Sequence, residues 1–192
     1  NVDGTNSYFG ISKNISERSR FGFFGASNTG DITSNFLNLE ASGKTVGIFT
    51  EKELNMPWYD GVRWGRLRGS ISLSDYSYDG TRMAQGLTNS VNDASSKVFQ
   101  AGLEYSATLW DYENFKVSPF IGVNLVNSSS DAFEETGTIN SLSIQSYEKT
   151  QLLANFGLDA TWTPAGGPLG LTATVKFQQH LLDDESEISA SF

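Results

Sequence analysis

The stretch Phe115–Gly137, FKVSPFIGVNLVNSSSDAFEETG, passes from a long alternating segment into an acidic, polar one with no helical interlude. From Val117 to Leu125 the odd positions are Val117, Pro119, Ile121, Val123 and Leu125, while the even ones include Ser118, Gly122 and Asn124. Successive side chains leave a strand on opposite sides, so this period of two predicts a strand with one apolar face. Pro119 has no N–H to give to a ladder and must sit where no bond from it is needed. The polar run from Asn127 to Thr150 is expected to be a loop.

The same unit recurs along the chain. Tyr8 to Lys13 alternates briefly, the polar run Asn14 to Arg20 interrupts, and Phe21 to Ala26 resumes as the second arm of a hairpin. Asn28 to Lys44 reads as a long polar connection before a third strand, Thr45 to Thr50. Glu51 to Gly61, with Pro57 and Asp60-Gly61, reads as the next connection. From about Val62 to Tyr76 the odd positions Gly65, Leu67, Gly69, Ile71 and Leu73 are apolar or small, and the even positions Arg66, Arg68, Ser70, Ser72 and Ser74 are polar. Tyr76 and Tyr78 at its end are apolar in body and polar at the tip, as suits a membrane interface.

Asp79 to Lys97 reads as another polar loop, followed by a strand over Val98 to Trp110, a tight connection at Asp111 to Asn114 and the Phe115 strand. Leu152 to Trp162 alternates again, the Pro164–Pro168 segment PAGGP is a turn, and Leu169 to Gln178 forms a further strand. Ile188, Ala190 and Phe192 begin one more alternation. This gives about nine strands whose connections alternate between short and long. Sorting of that kind is expected of an up-and-down barrel with short turns on one rim and long loops on the other.

Composition bounds the rest. A chain of 192 residues is long enough for a single domain spanning residues 1–192, and its 19 glycines favour strands and turns over a helical core. The absence of cysteine excludes disulfides, thiolate metal sites and a cysteine nucleophile. Thirteen basic against 22 acidic residues give a net charge of −9, which argues against nucleic acid as a partner. No run of 18 apolar residues offers a membrane helix, and the N-terminal Asn-Val-Asp-Gly-Thr is not a signal peptide. A mean hydropathy of −0.30 is compatible with barrel strands that alternate lipid-facing and lumen-facing residues.

Several stretches together resemble the bacterial autotransporter β-domain. SPFIGVNLVNSSSDAFEETG resembles that family's Pro-aromatic-x-Gly strand and the loop ending in F-x-E-x-G. YFGISKNISERSRFGFFGAS is similar to its paired early strands. KVFQAGLEYSATL resembles a segment ending E-x-G-Y-x-f, with Gly102 and Tyr105 partly in place, and LLANFGLDATWTP resembles a later l-x-x-x-l-G-l-x-a-x-y strand. The resemblance runs from about Ser7 to Phe192. It implies an all-β, antiparallel up-and-down transmembrane β-barrel, twelve-stranded in the family. By this matching the first strand, the last two strands and the helix threading the lumen lie outside the chain. It further implies a bacterial outer-membrane location, an attached N-terminal passenger, and partners in outer-membrane lipid and the barrel-assembly machinery.

Candidate functional residues follow from parity. Arg66 and Arg68, with Glu104 on the next strand, suggest an ion-pair network facing a water-filled lumen, and Asn124, Asp159 and Lys176 share the same logic. The plainer reading of these residues is the wet surface of a soluble sheet. His180 lies near Asp183, Asp184, Glu185 and Glu187, yet lacks a placed second ligand or nucleophile, so it is expected to be a polar strand-end residue. Neither a Gly-x-Ser-x-Gly elbow nor a nucleotide-binding glycine motif occurs, and no enzyme, cofactor or metal is expected. The expected function is therefore an outer-membrane translocator that exports or displays a passenger. The alternative is a soluble extracellular β-sandwich binding or structural module, whose apolar parity packs a core.

Overall fold

The structure, a computed structural model, describes residues 2–55, 64–84, 86–112, 114–137, 141–164, 170–183 and 190–191. These residues form strands and no helix: β1 (Val2–Ser16), β2 (Ser19–Thr33), β3 (Leu37–Asn55), β4 (Trp64–Ala84), β5 (Leu87–Ala107), β6 (Trp110–Tyr112), β7 (Phe115–Ser130), β8 (Phe133–Glu134), β9 (Ser143–Ile144), β10 (Tyr147–Trp162), β11 (Leu171–Asp183) and β12 (Ala190–Ser191). The long strands pair antiparallel in chain order, β1-β2-β3-β4-β5-β7-β10-β11, with β6 beside β7. This is the meander expected of an up-and-down barrel wall. A small second sheet has the order β12-β9-β8.

Register turns the parity of single strands into continuous rows. Ile11, Phe23, Ile48, Ile71, Ala101, Leu125, Leu152 and Leu182 are successive cross-strand partners, so one wholly apolar row crosses all eight long strands. On the opposite face a second row runs Asn14, Arg20, Glu51, Arg68, Glu104, Gly122, Asn155 and Gln178. The apolar face is the exposed one: Ile71 is 47%, Leu73 58%, Ile121 63% and Phe177 57% accessible. The polar side alternates with it as the less exposed face along β4. No second sheet covers the apolar rows among the described residues, which overturns the sandwich reading. A belt this wide far exceeds the few hundred Å² of contiguous apolar surface usual on a soluble monomer.

The strands are longer than hydropathy suggests. β4 and β5 each contain 21 residues, roughly 70 Å of strand at about 3.3 Å per residue, against about 9–11 residues needed to cross a bilayer. Most of the stretch Asn28 to Lys44, expected to be a loop, is strand, and β2 and β3 are separated only by residues 34–36. Asp79 to Lys97 is likewise paired strand over 79–84 and 87–97. Beyond Leu73 the outward positions of β4 become Asp75, Ser77, Asp79 and Thr81, so both faces are polar and the hydropathy period vanishes while backbone pairing continues.

Polar cross-strand pairs accompany these extensions: Thr5 with Thr29 at 2.9 Å, Thr45 with Ser74 at 2.8 Å and Tyr78 with Ser96 at 3.0 Å. A bulge near the β4–β5 tip places Asp93 at φ 57°, and its N–H donates to Asp79 Oδ1 at 3.0 Å. The expected alternation of loop lengths thus becomes a set of polar hairpins projecting from one rim. Of the three connections expected to be long, only 131–146 remains so.

Other expectations are also corrected. Tyr76 and Tyr78 share the face of Arg66 and Arg68, because the parity of β4 persists through them, so they do not form an outward aromatic girdle. Ala190–Ser191 pairs with β9 of the small sheet and does not extend the large one, while Ile188 and Phe192 lie outside the described residues. Pro119 sits in a central strand opposite Leu158. On its other side β5 pairing ends at Phe120 and β6 pairing begins at Val117, leaving a ladder break at the proline.

Aromatic rings on the polar face lie over glycines directly opposite them: Phe49 over Gly22, Phe24 over Gly47, Tyr76 over Gly43 and Phe120 over Gly157. A Cβ at Gly22 would come within 2.5 Å of Phe49 Cε1 and 2.7 Å of the Ile11 carbonyl oxygen. Gly22→Val is therefore expected to cost about 1–3 kcal/mol, the usual penalty of overpacking. Gly69→Ala, where a Cβ would meet only ordinary contacts from 3.5 Å outward, serves as the near-neutral control in denaturant titrations of the lipid-reconstituted protein.

Candidate functional site

The polar row has a charge sequence. Crossing β2, β3, β4 and β5 it reads Arg20, Glu51, Arg68, Glu104, so each charge faces an opposite one on the next strand. Glu51 is the hub. Its side chain is only 12% exposed and meets Arg20 Nη2 at 3.6 Å, Arg66 Nε at 3.6 Å and Arg68 Nη2 at 3.4 Å. Arg68 reaches in the other direction to Glu104 Oε1 at 3.3 Å, and Arg20 lies 5.6 Å from the centre of the Phe49 ring.

Next to this row lies a cavity of about 280 Å³ whose walls carry Glu53, Arg66, Arg68, Glu104, Lys116 and Asp159. Those residues come from β3, β4, β5, β7 and β10. Four ladder steps separate β3 from β10, about 19 Å on a flat sheet at about 4.8 Å per step. The sheet must therefore curve toward its polar face to bring both ends onto one cavity. Three cations, Arg66, Arg68 and Lys116, stand against three anions, Glu53, Glu104 and Asp159, a balance of 3 − 3 = 0. Such a surface attracts neither sign of charge over distance; within it Arg68 pairs with Glu104, and Asp159 accepts from Thr174 Oγ1 at 2.7 Å.

Register places all six residues singled out from the sequence, Arg66, Arg68, Glu104, Asn124, Asp159 and Lys176, on this one face. Arg66, Arg68, Glu104 and Asp159 meet at the cavity. Asn124 lies one row toward the other rim, opposite Gly102, and Lys176 stands on β11 opposite Gly157. Arg20, Glu51, Glu53 and Lys116 were not singled out. The parity that begins at Gly47 and Phe49 would have included Glu51 and Glu53 had β3 been carried past Thr50.

Removing the hub tests the network. Exposed ion pairs contribute about 0.2–1 kcal/mol each, so Glu51→Gln, which uncouples three of them, is expected to cost at most ~3 kcal/mol. It also makes the face one charge more positive. In planar bilayers its reversal potential should shift toward anion selectivity relative to the parent.

A second cluster lies on the projecting rim. Glu135 is 3% exposed in its side chain and accepts two bonds from Arg82, at 2.7 Å from Nε and 2.6 Å from Nη2. Its Oε2 also accepts from Leu142 N at 3.0 Å and from Asn89 Nδ2 at 3.3 Å. Chiefly through the Arg82 hydrogen bonds, the Glu135 carboxyl is held below its ordinary value, and the Arg82 guanidinium is raised for the same reason. Ser90 and Thr136 exchange backbone bonds at 2.8 and 2.9 Å.

Gly137 has φ 151°, and a Cβ there would meet Asn89 Oδ1 at 2.8 Å and the Thr88 carbonyl oxygen at 2.9 Å. Phe133-Glu134-Glu135-Thr136-Gly137 is thus a clasp that ties the 131–146 connection to the β4–β5 hairpin. His180 is placed by register on the polar face opposite Leu153.

The autotransporter β-domain family model matches residues 1–192. Among solved structures, the chain is similar to the translocator domain of the autotransporter NalP from Neisseria meningitidis, with 16% identity and a TM-score of 0.78, covering 98% of this chain and 69% of that one. It is also matched with the β-domain of the Bordetella autotransporter BrkA, at 13% identity and a TM-score of 0.48, covering 98% and 87%. No curated protein matches the chain.

Proposed function

We propose, from the premise that this chain belongs to the autotransporter β-domain family and is a translocator barrel of the bacterial outer membrane serving passenger export, that its Arg–Glu face is the wall of the export path. The apolar belt is then the surface in contact with lipid. The observation that carries this assignment is the pair of rows crossing the same eight strands, one wholly apolar and largely exposed, the other polar and on the inside of the curve. Lipid supplies no hydrogen bonds and admits no open charge, whereas a watery lumen solvates both.

The contribution of the barrel is physical. A cavity wall of balanced charge holds neither an acidic nor a basic stretch of passenger for long, so an extended chain slides past without a deep binding well. Residues 1–192 act as one domain in this reading, the passenger is attached on the N-terminal side, and no bond is made or broken by the barrel itself. Insertion is assisted by the barrel-assembly machinery, as the family resemblance implies.

Photocrosslinking during export tests the path. With a photoreactive residue in place of Arg68, a passenger stalled in transit should be captured, and with the same residue in place of Leu73 the adducts should be with lipid. Passenger adducts at Leu73 together with none at Arg68 would reverse the assignment of faces.

A further inference from the structure

Two lysines interrupt the apolar belt. Lys13 is the cross-strand partner of Phe21, and the same row continues through Thr50, Gly69, Leu103, Val123 and Ala154 without another charge. Lys52 is the partner of Leu67, whose row runs on through Tyr105, Ile121, Phe156 and Phe177. Both lysines share the outward face with these residues and are exposed. A lysine facing hydrocarbon is costly at the bilayer midplane and tolerated only toward the interface. These two therefore mark the edge of the membrane on the side of the turn at 17–18 that joins β1 to β2. Short turns of this kind form the periplasmic rim of such barrels.

No carboxylate offsets the pair on its own face. The outward neighbours are Ser19, Phe21, Thr50, Leu54 and Leu67, and Glu17 of the adjoining turn lines a cavity with Arg18, Arg20 and Glu51. Neither Lys13 nor Lys52 takes part in an ion pair or side-chain hydrogen bond with a described residue, in contrast to the Arg–Glu row behind them. Two ladder steps and one outward position separate their backbones, about 12 Å. Their long stems let both ammonium groups converge over Ser19 and Phe21.

Beside the lysines the outward face is hollow. A groove of about 380 Å³ is bounded by Phe21, Ile71 and Leu103 and has the smaller residues Thr50, Gly69 and Ala101 at outward positions between them. Thr50 is the next outward residue from Lys52 along β3, and Phe21 faces Lys13, so the groove begins at the lysines. From Lys52 to Ile48, the partner of Ile71, is about 13 Å of strand. That span fits within one leaflet, half of a hydrocarbon core about 30 Å thick.

We propose that Lys13, Lys52 and this groove bind one anionic phospholipid of the leaflet at the short-turn rim, with its phosphate between the two ammonium groups and an acyl chain in the groove. The order of the parts sets the orientation, charge at the rim and hollow toward the midplane. Two cations with no carboxylate beside them select a headgroup of net negative charge. A zwitterionic headgroup would bring an ammonium of its own against the lysines, and like charges held together are unfavourable.

The site rests on the lipid-facing reading of the apolar belt, and native mass spectrometry separates the two. The full-length protein is released from micelles containing equal amounts of phosphatidylglycerol, phosphatidylethanolamine and phosphatidylcholine. The parent should retain phosphatidylglycerol preferentially, and Lys13→Gln/Lys52→Gln should lower that retention about tenfold, the loss of two charge-assisted bonds. Both replacements remove a charge from the lipid face, so folding is not endangered. Ala101→Leu fills the groove and should also weaken retention with the lysines intact. Lys44→Gln/Lys97→Gln, in the outward row beyond Val46 and Leu73 toward the other rim, should leave it unchanged. Equal retention of the three lipids by the parent, unchanged retention in either the Lys13/Lys52 or the Ala101 variant, an equal loss in the Lys44/Lys97 control, or a second protein copy held in place of lipid would each overturn the site. A parent protein that stays monodisperse without detergent would instead overturn the lipid-facing reading beneath it.

Discussion

Ile71→Arg is expected to lower the stability of the lipid-reconstituted barrel by about 2–4 kcal/mol, the cost of an arginine facing the bilayer midplane. Ile71 lies at the middle of the apolar row that crosses every long strand, between Ile48 and Ala101, and is 47% exposed. An arginine there has only neighbouring leucines, isoleucines and lipid as partners. Ser70 is the control, one residue away and on the opposite face. It stands among Phe49, Gly102 and Asn124 in the row adjoining Arg68 and Glu104. Ser70→Arg adds a charge where charges are already solvated, and its cost should be limited to crowding against Phe49. Denaturant unfolding of both variants in vesicles decides the order, and a Ser70 variant more damaged than the Ile71 variant would exchange the two faces.

The second large effect belongs to the clasp on the projecting rim. Removing one member of a buried ion pair costs about 3–5 kcal/mol, because the other is left charged and unpaired. Arg82→Leu strands Glu135, which among the described residues keeps only Asn89 Nδ2 and the Leu142 N–H. The 131–146 connection should therefore undock from the β4–β5 hairpin while the membrane belt stays folded. Hydrogen exchange reads this directly, as loss of protection at the amides of Ser90, Thr136 and Leu142 with β4 residues near Ile71 unchanged.

Acid should do the same to the parent. A carboxyl whose folded value is lowered contributes stability that is present above its unfolded value, about 4.3, and is lost as pH falls through the lower folded one. Protection at these amides should hold through neutral and mildly acidic solution and fail only below about pH 4. Loss of protection already near pH 6, or none on strong acidification, would contradict the Glu135 assignment.

These two sites differ in how far the sequence reveals them. The belt and the polar face are readable because Gly65 to Leu73 and Val117 to Leu125 keep strict alternation, and cross-strand register preserves parity from one strand to the next. The extent of the strands is not readable in the same way. Where β2 to β5 rise past the apolar belt, both faces become Ser, Thr, Asn and Asp, and a paired polar strand has the composition of a loop. Arg20 and Glu51 lie at the opposite end of these strands, where the outward Thr50 and Lys52 break the alternation although pairing continues.

The clasp was hidden by distance in the chain. Arg82 and Glu135 are 53 residues apart, and only the meander brings β4 and the 131–146 connection to one rim. Local sequence gave one sign of it, the Phe133-x-Glu135-x-Gly137 spacing, whose glycine is required by a positive φ and by the close approach of Asn89. The short pairing of β12 with β9 likewise depends on folding of distant segments, so a terminal alternation alone does not say which sheet it joins.

The division of the sheet into a lipid face and a watery face is tested most directly by spin labels at successive positions of β4. The chain has no cysteine, so each of positions 66 to 73 can carry a single label by substitution to cysteine without background. In reconstituted membranes, collision with lipid-soluble oxygen should peak at 67, 69, 71 and 73, and collision with a water-soluble nickel complex at 66, 68, 70 and 72. Opposite phases or a uniform response along the strand would contradict the account.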